Sequence, residues 1–289
     1  MATNTAQKSI WGRGLLGLLL VAVPVLLVAW LIGYPILVAL WSTFHADTPN
    51  GPVFSIATYS FFFSDAFSLR NLWVTIWTTA VTTFIVLAIA LTIALYLRFS
   101  DSKLAAYIQS VALFPLFVPS ILLAFALIRT IGPNGMLDTL LNAVHLPKTR
   151  SPYLTPWGPV IGLTWDNLPL TLLIVLSGLS NVSTASIDAA RDVGAGPFAI
   201  LWNIILPRVA NSLLVAASFV VLGLFSAFTL PYLLGPAAPE MMGPYMQRTF
   251  TDLNNPLEAT TQAMITFAFC AVFAIFYVRS VARSQRRNA

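Results

Sequence analysis

The 289-residue chain is 58% hydrophobic and only 9% charged, with a mean hydropathy of +0.83, so its apolar surface exceeds what one water-soluble core can hide. The net charge of +5 does not point to nucleic acid, because the densest basic run, Arg279 to Arg287, directly follows an apolar stretch, where such residues meet anionic lipid headgroups. Cys270 is the single cysteine and lies inside an apolar run, which excludes a disulfide framework and a cysteine-based metal cluster.

A helical crossing of ~30 Å of hydrocarbon needs roughly 20 apolar residues. Six stretches meet this: 15–41, 73–97, 104–128, 157–179, 213–234 and 260–278. Their apolar runs are continuous and do not alternate with period two, so the expected class is an all-α membrane protein with six transmembrane helices, not a barrel. Lys8 and Arg13 before the first stretch resemble the start of a signal peptide, but the run is too long for one and no cleavage site follows, so it is read as a retained helix. Residues 45–70 begin with the turn-rich "DTPNGP" and continue as the aromatic "YSFFFSDAF", suited to a membrane interface. Residues 129–156 open with "GPNG" and predict a short amphipathic helix at "MLDTLLNAV". Residues 235–256 are expected to be irregular until their end. No linker or low-complexity tract separates the stretches, so 1–289 reads as a single transmembrane domain.

Prolines 24, 35, 115, 119, 169 and 231 fall within the apolar stretches, each removing a helix hydrogen bond and promoting a kink or unwinding. Such breaks are tolerated where the freed carbonyls face protein or a watery cavity. Pro115, Pro119 and Pro169 lie deep enough to line one. Asp166 is the one acid within a stretch, at a cost of about 2.5–3.5 kcal/mol on insertion scales, so it must meet a cavity, a partner or another helix. Trp165 and Asn167 beside it are candidates to share hydrogen bonds with it, and the carboxylate either contacts a polar or cationic solute or caps a helix broken at Pro169.

The loop 183–208, "IDAARDVGAGPFAILWNIILPR" at its centre, predicts two short helices around a turn. Ser186 is the expected N-cap, Asp188 falls in the first turn where the dipole favours an anion, and Gly194 closes the helix. Gly196 permits a change of direction and Pro197 opens a second helix running towards Pro207. With both termini inside, the inner segments carry Lys8, Arg13, Arg98, Lys103, Arg191, Arg208, Arg279, Arg283, Arg286 and Arg287, against Arg70, Arg129, Lys148, Arg150 and Arg248 outside. The positive-inside rule then places both termini and this loop in the cytoplasm.

Catalytic signatures are missing. No glycine-rich phosphate loop precedes any of the three lysines, Lys8, Lys103 and Lys148. His45 and His145 are isolated, without a ligand at metal spacing, and no pair of intramembrane acids suggests a proton relay. No catalytic or metal-ligating residue is expected.

The order Asp188-Ala189-Ala190, three residues, Gly194, nine residues, Ile204, one residue, Leu206-Pro207 resembles the "EAA" coupling loop of permease subunits in bacterial type I ABC importers, with Asp188 where that family usually has Glu. "WDNLPL" at 165–170, "ARDVGA" at 190–195 and "LFSAFTLPYLLG" at 224–235 look like the spermidine/putrescine-type branch, which also includes relatives for phosphonates, ferric ion and thiamine. The resemblance implies an inner-membrane permease paired with a second permease, two ATPase subunits that bind the ATP and Mg, and an external binding protein. It implies no cofactor of the chain's own. Asp188, Ala189, Ala190, Gly194, Phe198, Leu201, Ile204, Leu206 and Pro207 would dock on the ATPase, and Asp166, Asn167, Trp165, Pro115 and Pro119 would line the substrate path. A polyamine is the first expectation for the solute, with a sugar, phosphonate, ferric ion or thiamine as alternatives. The competing classes are a membrane scaffold or receptor that uses the loop for a signalling partner, and an ion-coupled secondary carrier.

Overall fold

The computed structural model describes residues 17–49, 51–100, 102–147 and 150–287. The predicted start of the first span at Leu15, and the basic residues Lys8, Arg13 and Lys148, lie outside the described residues. The order is α1 (Gly17–Thr43), a hairpin of β1 (His45–Thr48) and β2 (Gly51–Phe54), α2 (Ala57–Ser64), α3 (Ala66–Phe99), α4 (Leu104–Leu113), α5 (Ser120–Ile131), α6 (Met136–Ala143), α7 (Trp157–Leu179), α8 (Thr184–Asp192), α9 (Pro197–Phe225), α10 (Thr229–Leu234), α11 (Met242–Thr251) and α12 (Pro256–Arg287). Among the described residues, six helical stretches are long and apolar enough to cross a membrane, and the chain is a multi-pass membrane protein. The two-stranded antiparallel hairpin, with His45 opposite Phe54, was not legible in "DTPNGP".

Two expected spans are corrected. The stretch 104–128 is not one helix: α4 tightens into a 3₁₀ turn at Phe114–Phe117 and stops, because Val118, preceding Pro119, is pushed to extended backbone (φ −104°, ψ 115°). Pro119 then caps α5. The stretch 213–234 starts too late and runs too far, since α9 begins at Pro197 and ends at Phe225. Its end is favoured by Ser226, whose hydroxyl takes the Leu222 and Gly223 carbonyls at 3.3 and 3.1 Å. The connection 235–256 also departs from expectation, because residues 242–251 form α11. Pro244 does not prevent this, since its missing amide falls in the first turn.

Pro35 and Pro207 both sit inside long helices, and the same device admits each. A π-turn precedes it, Ala29–Gly33 in one case and Leu201–Ile205 in the other. There the amides of Tyr34 and Leu206 reach back five residues to the carbonyls of Ala29 and Leu201. This widening displaces the carbonyl that the proline ring would strike in a regular helix.

Long helix α3 runs through the centre. Its start is fixed by Asp65, whose Oδ2 accepts from the Ser68 amide at 2.8 Å and the Ser68 hydroxyl at 2.7 Å. These bonds hold the Asp65 carboxyl below its ordinary value of 3.8. One apolar cluster joins α3, α7, α8 and α9 through Ala90, Ala94, Leu172, Val175, Leu179, Ile187, Ile200, Ile205 and Val209. A second joins α3, α5, α7, α9 and α10 through Val86, Leu123, Leu163, Val220, Leu224, Leu230 and Leu234. Helices α7 and α9 cross closely at Gly178, where a Cβ would strike the Ser212 side chain. Helix α1 leaves its large apolar side chains exposed, as a lipid-facing span does.

Candidate functional site

Two helix breaks meet around Asp166 of α7, a helix that runs unbroken through Pro169 from Trp157 to Leu179, so the carboxylate does not cap a helix broken there and buried Pro169 stays outside the cavity lining. The α4–α5 break presents Ser120, and the α9–α10 break presents Ala227 and Phe228. Together with Leu163, Asn167, Gly223, Thr229 and Leu230 these residues line a cavity of about 200 Å³. The Ser120 hydroxyl donates to Asp166 Oδ1 at 3.1 Å, so the residue freed by Pro119 holds the carboxylate. Backbone that is interrupted within a membrane protein is stable where it faces protein or a polar cavity, and this cavity supplies both.

The expected partners of Asp166 are corrected. Asn167 lines the cavity, but its Nδ2 donates to the Leu163 carbonyl at 2.8 Å, one turn back along α7. Trp165 packs edge-on against Phe114, ring centroids 6.4 Å apart, on the apolar side of the helix. Neither touches the carboxylate through a hydrogen bond; Ser120 does, and its part was legible only as the residue after a helix-breaking proline. Pro115 is buried and Pro119 is exposed, and neither is among the residues that line the cavity. Their effect is to place Ser120.

The loop 183–208 folds from its turn outward. Ser183, not Ser186, is the N-cap residue of α8, which puts Asp188 in mid-helix, paired at 3.4 Å with exposed Arg191. Ser186 instead accepts from Arg208 at 3.2 Å, tying α8 to α9. At the C-terminal end, the Gly194 amide donates to the Arg191 carbonyl and the Ala195 amide to the Ala190 carbonyl, both at 2.9 Å. This double closure is a Schellman motif, and it requires the left-handed φ of +83° at Gly194. Gly196 has φ −72° and ψ 163°, accessible to any residue, so the expected special role of glycine there is not required. The second helix does not stop near Pro207. It continues without interruption as α9, so the loop and the cavity wall at Gly223 belong to one rod.

The side chains of this loop divide sharply. Leu201, Ile204 and Leu206 turn inward against the buried cluster of α7 and α8, and Ala190 packs there too, while Ala189 and Pro207 are exposed. Phe198 is 74% exposed and stacks on Trp202, itself 62% exposed, with centroids 6.1 Å apart. Val193 is 85% exposed. These three form an apolar ledge on either side of the Gly194 turn; Val193 and Trp202 were missed because the motif spacing does not include them.

A second polar cluster lies at the opposite end of α3. The amide of Glu240 donates to Asn71 Oδ1 at 3.0 Å and that of Met242 to Thr75 Oγ1 at 2.8 Å. Glu240 Oε1 lies 2.6 Å from Arg248 Nη2, and the guanidinium stacks over Phe67 at 5.2 Å. Burial pushes the Glu240 carboxyl up, while the Arg248 charge draws it down. No group of three or more metal-ligating side chains occurs among the described residues.

Residues 88–287 match the family described as binding-protein-dependent transport system inner membrane component. Among curated proteins, the chain is 24% identical over 165 residues to the spermidine/putrescine transport system permease protein PotB of Haemophilus influenzae, covering 56% of this chain and 58% of that one. It is 25% identical over 198 residues to the glucose import system permease protein GlcT of Saccharolobus solfataricus, covering 65% and 68%. The matched segment thus spans little more than half of the first relative. Among solved structures, a chain of a bacterial alginate ABC transporter, crystallised with an alginate pentasaccharide-bound periplasmic protein, superposes with a TM-score of 0.77 at 15% identity, over 93% of this chain and 94% of that one. The fold is that of the type I ABC importer permeases.

Proposed function

Because the chain belongs to the family of binding-protein-dependent inner membrane transport components, we propose that it is the permease subunit of an ATP-driven importer for a small polar solute. The observation that carries this reading is mechanical: Phe198 and Trp202 of the exposed ledge and Gly223 of the Asp166 cavity wall lie on one continuous helix, α9. A push on the ledge is therefore transmitted along a rod to Gly223 and to the break beyond it, without loss in a flexible joint.

In this reading the loop 183–208 is cytoplasmic, as are both termini, and docks in a groove of an ABC ATPase subunit that binds the ATP and Mg. Asp188, Ala189, Ala190, Gly194 and Pro207 shape the docked turn. Phe198 inserts with Trp202, while Leu201, Ile204 and Leu206 fasten the loop to the chain's own core. A second permease subunit completes the path, and an external binding protein delivers the solute. Closure of the ATPase pair draws the loops together and opens the cavity alternately to either side.

The solute favoured is a polyamine. Asp166 offers a fixed carboxylate, oriented by Ser120, in a setting of low dielectric where attraction to an ammonium is stronger than in water. The likeness to a spermidine/putrescine permease supports the same choice. A sugar is the second reading, favoured by the hydroxyl and amide of Ser120 and Asn167 in the same cavity and by the likeness to a glucose permease.

The test is co-purification followed by reconstitution with the partner ATPase, second permease and binding protein. Spermidine or putrescine uptake that requires ATP is the expected result. A chain that purifies without an ATPase and transports alone on an ion gradient would move it to the secondary carriers, and uptake of glucose but not polyamine would select the sugar reading.

A further inference from the structure

The polar face of α3 carries a regularity that the cavity does not use. Asn71, Thr75, Thr79 and Thr83 recur every four residues, a row of rungs spaced by about 6 Å at the rise of 1.5 Å per residue. The first two rungs are occupied. Asn71 and Thr75 accept the backbone amides of Glu240 and Met242, which flank Met241 in extended backbone (φ −71°, ψ 157°). Amides two residues apart on an extended chain are separated by about 6.6 Å, so the spacing of the connection matches that of the rungs.

The next two rungs are empty of partners. The hydroxyls of Thr79 and Thr83 are enclosed by protein yet make no hydrogen bond, as is also true of Thr78 and Thr82 on the same helix, and Thr79, the one of the four next in line after Asn71 and Thr75, is buried. On the same helix Thr75 and Thr92 donate to the carbonyls four residues back, at 2.9 and 2.8 Å, so helix geometry does not forbid satisfaction. In an interface with one fixed arrangement, valine would fill the Thr79 site equally well without a stranded hydroxyl.

We propose that Asn71, Thr75 and Thr79 form a two-register track for the α10–α11 connection, and that Thr79 is the rung taken when the transporter changes conformation. A shift of one helical turn moves the Glu240 amide from Asn71 to Thr75 and the Met242 amide from Thr75 to Thr79. One-turn ratchets of this kind let tightly fitted elements switch between two discrete states. The Glu240–Arg248 ion pair moves with the connection, since both residues belong to it and to α11, whereas the stacking of Arg248 on Phe67 of α3 marks the present register. The other end of the connection is α10, whose Thr229 and Leu230 wall the Asp166 cavity, so a register shift opens or closes that wall. Thr79 is thus a positioning residue, and the inference rests on the importer reading.

The experiment uses the complete complex of both permeases, ATPase and binding protein, with Cys270 replaced by serine. Met242→Cys with Thr79→Cys is oxidised in the resting complex and in the vanadate-trapped complex. Cross-linking confined to the trapped complex is expected. Separately, Thr79→Val should leave assembly and thermal stability equal to or above the parent while uptake falls by about tenfold, within the usual range of coupling effects. Cross-linking that is absent, or the same in both states, overturns the proposal. So does normal uptake in the valine variant, or a fall in stability that parallels the fall in uptake. Failure of the importer reading is recognised separately, because the unsubstituted complex would then neither retain an ATPase nor take up solute.

Discussion

Gly194→Val provides a direct test of the loop, because the structure isolates a single cause for its effect. The added Cβ would meet nothing within 4 Å, so crowding contributes nothing, and the cost is the left-handed backbone at φ +83°. That conformation costs an L-residue roughly 1–2 kcal/mol, with a β-branched side chain at the upper end. Such an energy shifts the balance between the native Schellman turn and an opened one by a factor of about 5–30. The global fold has no reason to fail, since the turn is exposed and its neighbours pack elsewhere. In proteoliposomes holding the full complex, uptake per ATP hydrolysed should therefore fall about 5–30-fold at unchanged permease content, and Gly194→Ala should fall near the lower end. Gly196→Ala is the internal control: its φ of −72° and open surroundings predict no change. If Gly194→Val and Gly196→Ala couple equally well, the assignment of this turn to energy transmission is wrong.

Other outcomes follow from the same geometry. Asp166→Asn should lower polyamine uptake by about tenfold to a hundredfold, the equivalent of one charge-assisted hydrogen bond of about 1.5–3 kcal/mol, with affinity at the external binding protein unchanged; retained uptake removes the carboxylate from the path. Joint replacement of Phe198 and Trp202 by alanine should weaken ATPase association by about 30-fold or more, as loss of a hot spot of about 2 kcal/mol does, yet leave the thermal stability of the permease alone nearly unaltered, because both rings are exposed. Asp65→Ala removes the N-cap of α3 and should cost about 1 kcal/mol. Since the Ser68 bonds hold that carboxyl below its ordinary 3.8, the contribution is present above that value and is lost as pH falls through the lower folded value; a denaturation midpoint difference between parent and variant that persists unchanged at still lower pH would contradict it. The purified chain alone should show no saturable ATP hydrolysis, measurable by phosphate release, with activity appearing on addition of the ATPase.

Much of the fold was legible because a bilayer imposes one dominant requirement. Continuous apolar runs near 20 residues announce crossings regardless of how they pack, and Gly194 between an alanine-rich turn and Pro197 announces a closed helix end followed by a new start. What failed was continuity. Pro119 and Pro207 carry the same chemical defect, a missing amide and an obstructive ring, yet α4 and α5 separate at the first while α9 runs through the second on a π-turn. The residue type states that a hydrogen bond is lost. Whether the chain responds by unwinding or by widening depends on which neighbours can hold the displaced carbonyls.

The same division applies to the site. The sequence by itself determined that Asp166 must escape lipid, because the cost of a carboxylate in hydrocarbon is a property of the residue and its depth. It also determined that the loop 183–208 is a two-helix turn, because the preferences of Gly194 for a helix end and of Pro197 for a helix start are local. Only the tertiary structure decided that Ser120, 46 positions away in the chain, orients that carboxylate, that Trp165 faces Phe114 instead, and that Phe198 and Trp202 project while Leu201, Ile204 and Leu206 are withdrawn. A helix fixes the angle between its own side chains, but the direction of each face is set by the helices packed against it, and those contacts join residues whose separation in sequence carries no periodic trace.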